Sequence, residues 1–77
     1  MKLVQAIAKR VEKLLKEKGY TLYKLQYAGG APRSTVSDVI LCKKKRVSTD
    51  TIYQICVTLG IELKDFFDDP IFKEVTD

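Results

Sequence analysis

Between residues 33 and 46 the chain reads RSTVSDVILCKKKR. One guanidinium, three hydroxyls and one carboxylate precede an unbroken run of four cations. At helical spacing Val36, Val39 and Ile40 share one face, and Ser34, Ser37, Asp38 and Leu41 share the opposite one, with Arg33 at the N-terminal end. Side chains of this kind exchange hydrogen bonds with base edges. A guanidinium donates twice to guanine O6 and N7, a carboxylate accepts from cytosine N4, and an apolar group meets a thymine methyl. Arg33, Ser34, Ser37 and Asp38 are therefore the candidates for reading bases. Thr35, Lys43, Lys44, Lys45 and Arg46 are candidates for phosphates, and each phosphate neutralised steepens the salt dependence of binding.

Little else in the 77 residues points to chemistry. There is no histidine and no tryptophan, and Cys42 and Cys56 are too few for a structural zinc site. The carboxylates of the C-terminal part show no sign of a pocket, so no enzyme is expected, and no metal, cofactor or small-molecule ligand either. Cys42 beside four cations suggests a redox switch, but no resolving thiol accompanies it and an inert thiol is the expectation. Cys56 falls on a core face.

The elements that must position these residues are helical throughout; no alternating strand pattern occurs. A first helix is predicted over about residues 3–18. Leu3, Ile7, Val11 and Leu14, with Val4, Ala8 and Leu15, form its apolar stripe, and Lys9, Arg10, Lys13, Lys16 and Lys18 take the remaining surface. Gly19 ends it. A second helix starts after the N-cap candidate Thr21 and buries Leu22 and Leu25. Tyr23 and Lys24 in its first turn join Thr21 as phosphate candidates. Gly29-Gly30 supplies a turn, and a third helix runs from about Pro32 to Leu41, proline being tolerated in a first turn. The pair forms a helix-turn-helix, whose second member enters the major groove of duplex DNA. Ser48 caps a fourth helix that faces Ile52, Ile55, Cys56 and Leu59 inward and stops at Gly60. A short fifth helix covers about residues 62–67, and Asp68-Asp69-Pro70 breaks it.

Length permits one small domain. The net charge of +4 is unevenly spread. Residues 1–46 carry twelve Lys/Arg against Glu12, Glu17 and Asp38; residues 47–77 carry two against seven Asp/Glu. A basic half attracts a polyanion and an acidic half avoids it. No apolar run is long enough for a membrane span. Charges interrupt the N-terminal segment, which reads as a helix rather than a signal peptide, so a reducing cytoplasm and free thiols are expected.

With these residues in view, the chain resembles the phage-repressor and Cro-like (XRE) helix-turn-helix family over about residues 6–68. The resemblance is carried by TLYKL, Gly30, RSTVSDVI and VSTDTIYQICVTLGIELKDFF. It implies an all-α, five-helix, lambda-repressor-like DNA-binding domain over residues 1–69, with a C-terminal tail at 70–77. It also implies a prokaryotic or phage transcription regulator that binds two-fold symmetric operators as a homodimer. By the same resemblance Arg33, Ser34, Ser37 and Asp38 fall on base-reading positions, and Thr21, Tyr23, Lys43 and Lys45 on or near phosphate-contacting ones.

The chain departs from the family pattern in four places. Gln26 stands for Ala at the helix crossing, and Ala31-Pro32 replaces a Val-Ser/Thr pair. Leu41-Cys42 replaces Asn-Gly, which forces Cys42 toward positive φ or gives the loop another shape. Leu15 and Ile40 stand where many members bury an Arg–Glu pair, an apolar replacement that is often neutral or stabilising.

Phe66, Phe67, Ile71 and Phe72 give the C-terminal end more apolar surface than a small monomer readily covers. Part of it is expected to form a two-fold dimer interface; the alternative is a tail that caps its own core. The competing functional reading is a protein-interaction module, of antitoxin or anti-repressor type, that keeps the helix-turn-helix as scaffold.

Overall fold

The computed structural model describes residues 1–21, 24 and 32–76. Among the described residues the chain is helical, with no strand. The elements are α1 (Leu3–Lys18), α2 (Arg33–Ile40), α3 (Thr49–Leu59), α4 (Leu63–Phe67) and a 3₁₀ turn at Pro70–Glu74. Four α-helices are found among the described residues, and the second of the five expected falls largely outside them. Of the predicted second helix, Leu22, Tyr23, Leu25 and Gln26 lie outside the described residues, as do the Gly29-Gly30 turn and Ala31. Its expected cap is present: the Thr21 hydroxyl oxygen accepts the Lys24 amide at 3.2 Å. No helix among the described residues is long and apolar enough to cross a membrane.

Local signals set the ends. Gln5 Oε1 accepts the Lys2 amide at 3.0 Å and closes the first turn of α1. Ser48 Oγ accepts the Thr51 amide at 3.1 Å and caps α3. Three helices end alike. The amides of Tyr20, Lys43 and Ile61 reach back to the carbonyls of Leu15, Asp38 and Cys56, and those of Gly19, Cys42 and Gly60 to Lys16, Val39 and Val57. This paired closure needs a left-handed residue just past the helix. Gly19 and Gly60 take it at φ 69° and 72°, and Cys42 takes it at φ 53°. Of the two outcomes open for Leu41-Cys42, the positive φ is the one realised.

Ile7, Val11, Leu14 and Leu15 of α1 pack with Val36 and Val39 of α2, with Ile52, Ile55, Cys56 and Leu59 of α3, and with Phe66 of α4. Leu15 is buried and Ile40 lies against the same cluster, an apolar pair as expected. Burial raises the Cys56 thiol pKa, an effect the nearby Arg10 charge partly opposes.

α1 departs from its predicted stripe. Leu3 is 44% exposed, whereas Arg10, assigned to the outer surface, is buried. The cause is the chain's C-terminal end, which covers the flank of α1 that periodicity leaves to water. Arg10 Nε donates to the Phe66 carbonyl at 2.7 Å and Nη2 to the Asp65 carbonyl at 2.8 Å, satisfying acceptors that the end of α4 leaves open. Nη1 meets Asp69 Oδ2 at 3.2 Å, and Lys13 Nζ meets the same oxygen at 2.9 Å. Asp69 Oδ1 accepts the Ile71 amide at 2.9 Å and starts the 3₁₀ turn. That amide, then Lys13 and Arg10, hold the Asp69 carboxyl below the ordinary aspartate range.

The tail therefore caps its own subunit. Phe72 packs on the core and its ring centroid lies 6.0 Å from that of Phe66 and 5.1 Å from that of Phe67. The Met1 ammonium donates to the Glu74 carbonyl and the Thr76 amide to the Met1 carbonyl. Phe66, proposed above for a dimer interface, is fully buried and unavailable to a partner; Phe72 is half-buried against its own core. Phe67, at 42% exposure, is the aromatic of this group that stays open.

Candidate nucleic-acid interface

α2 is anchored by Val36 and Val39, which are 1% and 6% exposed and lock its inner face to α1 and α3. That anchoring fixes what faces outward. Arg33 and Ser34 are exposed at the N-terminal end, Ser37 and Asp38 are half-buried one turn further on, and Leu41 is 61% exposed at the C-terminal end. All four base-reading candidates thus lie along the solvent side of one rigid helix. Thr35 lies to one side, in a cleft of about 180 Å³ formed with Asp38, Lys44, Arg46, Ser48 and Thr51. This cleft joins α2, the basic loop and the start of α3.

The loop following Cys42 carries its charge into solvent. Lys43, Lys44, Lys45 and Arg46 are all exposed. Lys43 Nζ stands 3.9 Å from Asp38 Oδ1, a loose pair across the end of α2 that periodicity did not suggest. Such an exposed pair contributes little to stability. It does place a positive charge beside the carboxylate, which lowers the local repulsion toward an anionic ligand. Lys44, Lys45 and Arg46 make no ion pair with another described residue. Between residues 32 and 47 the surface offers five cations and one carboxylate.

The other phosphate candidates divide. Thr21 and Lys24 are exposed, and the Thr21 hydroxyl oxygen accepts the Lys24 amide. Tyr23 lies outside the described residues. Arg10 and Lys13, counted in the basic half of the sequence, face Asp69 on the far flank of α1 and contribute less to the field at α2 than their number suggests.

A family model described as the Cro/C1-type HTH DNA-binding domain matches residues 10–70. The chain belongs to the Cro/C1-type helix-turn-helix family. Searches of curated proteins and of solved structures found no match. As a Cro/C1-type domain the chain binds DNA, and α2 with its flanking loop lies within the matched segment. Arg10 and Asp69, which form the clasp, both lie within the matched segment.

Proposed function

We propose that this protein is a sequence-specific transcription regulator, a repressor, that binds a two-fold symmetric operator as a homodimer with α2 in the major groove. One observation carries the reading: the exposed N-terminal end of α2 presents Arg33 and Ser34, with Ser37 a turn away, on the same helix-and-loop segment as the exposed Lys44, Lys45 and Arg46, which make no ion pair with another described residue. Arg33 donates to a guanine, Ser34 and Ser37 bond base edges or phosphates, and Asp38 accepts from cytosine or repels wrong sequences. Lys43, Lys44, Lys45, Arg46, Thr21 and Lys24 hold phosphates on either side. Two such helices about 34 Å apart meet successive turns of one groove face. Phe67 and the half-buried Ile71 are the surface offered for self-association. The reading needs neither cofactor nor catalysis and suits a cytoplasmic location.

The exposed Tyr53 and Val57, 55% and 54% accessible on the outer face of α3, favour a second reading as a protein-interaction module. Selection of the purified chain against random duplexes at near-physiological salt separates the two. A regulator enriches a two-fold symmetric motif, with affinity that falls steeply as salt rises. A module enriches none.

A further inference from the structure

A groove of about 330 Å³ runs between the first turn of α1 and the loop that enters α3, lined by Leu3, Val4, Ile7, Lys45, Arg46 and Val47. Its floor is apolar. Ile7 is buried, Val4 and Val47 are half-buried, and Leu3 is 44% exposed in the first turn. Its rim is Lys45 and Arg46, neither paired with a carboxylate among the described residues. An occupant must satisfy both features: an apolar group of side-chain size for the floor and negative charge for the rim. Duplex DNA supplies the charge but has nothing larger than a thymine methyl to fill such a floor. A peptide supplies both.

We infer that this groove is the docking site for an acidic segment of a partner protein that carries one large apolar side chain beside Asp or Glu. Lys45 and Arg46 are also among the cations assigned above to phosphates, so the partner and the operator exclude one another; this second half rests on the DNA reading. Binding there would lift the protein from its operator by occupying the loop, without any change in α2.

Selection of displayed twelve-residue random peptides on the full chain tests the inference. The expected result is enrichment of peptides with one Phe, Leu, Ile or Met next to clustered Asp or Glu. Their affinity should fall about tenfold in Leu3→Asp, the loss of one well-buried apolar contact, and severalfold in Lys45→Glu. An acidic residue in the first turn of α1 complements the helix dipole, so Leu3→Asp should keep its circular dichroism spectrum. No enrichment, enrichment without the acidic-apolar pattern, or binding untouched by Leu3→Asp overturns the docking site. Selected peptides should also displace duplex DNA; simultaneous binding of both overturns the exclusion. A chain that binds no DNA at all sinks the regulator reading instead and leaves the docking site to be decided by the Leu3→Asp result.

Discussion

The guanidinium of Arg10, in the middle of α1, lies 2.7 Å from the carbonyl oxygen of Phe66, fifty-six residues later. With the Asp65 carbonyl and the Asp69 carboxylate it forms a buried clasp that ties the first helix to the end of the domain. The clasp bears on DNA binding indirectly, because α1 is also the floor on which α2 rests.

Removing the guanidinium takes the 2.7 Å donor from the Phe66 carbonyl and leaves the Asp65 and Asp69 oxygens with one donor fewer in a water-poor site, which costs more than the pair itself is worth. Arg10→Ala should lower unfolding stability by about 3 kcal/mol in urea titration, the range typical of breaking a buried pair on one side. A change below about 0.5 kcal/mol, the scale of ordinary surface substitutions, would show that water replaces the clasp without loss.

The same cluster predicts an acid limb. Because the folded-state pKa of Asp69 is lowered, chiefly by the Ile71 amide and then by Lys13, its contribution to stability is present above about pH 4, the ordinary aspartate value. It is lost as pH falls from there through the lower folded value. Asp69→Asn should flatten this part of the pH–stability curve below pH 4 while lowering stability at pH 7. An unchanged acid limb in the variant would place the proton uptake on other carboxylates.

Cys42 holds a left-handed conformation at the end of α2 that costs a side-chain-bearing residue about 1 kcal/mol or more. Cys42→Gly should therefore stabilise the domain by about 0.5–1 kcal/mol, reduced from the full strain by the greater freedom of glycine in the unfolded chain. Cys42→Val, branched at Cβ, should destabilise it. Thermal unfolding of the two variants side by side checks the sign of each.

Self-association should respond to Phe67 and not directly to Phe72. Phe67→Asp alters a 42% exposed ring and should weaken dimers in sedimentation with the fold intact. Phe72→Asp puts a charge against the core and should lower stability first. Unaltered association in Phe67→Asp would place the interface elsewhere, with the exposed Tyr53–Val57 stripe next in line.

Local signals in the chain foretold much of this structure. Ser48, Gly19 and Gly60 mark helix ends because capping is decided within three to five residues. The spacing of Val36 and Val39, and of Ile52, Ile55, Cys56 and Leu59, decided which faces turn inward. At Leu41-Cys42 the sequence left two ways to close a helix stop lacking glycine, and the positive φ of Cys42 is the one taken. Long-range contacts were not legible. Nothing near Arg10 in sequence signals that Phe66 and Asp69 will cover it, so it read as one more surface cation. The neighbours Phe66 and Phe67 look alike to periodicity, and only the return of the tail through Phe72 puts one inside and the other at the surface. The exposed polar stripe of α2 was visible, but the Asp38–Lys43 pair depends on how the loop turns back.

The base-reading role proposed for α2 turns most directly on Arg33. Random-duplex selection should be run on the native chain and on Arg33→Ala together. A symmetric motif is expected for the native chain. In the variant, preference should relax at one guanine-containing pair per half-site, at a cost of about 1–3 kcal/mol there, with general salt-sensitive binding and the helical spectrum retained. Recovery of the same motif with the same information at every position by Arg33→Ala would contradict the assignment of α2 as the reading helix through this residue.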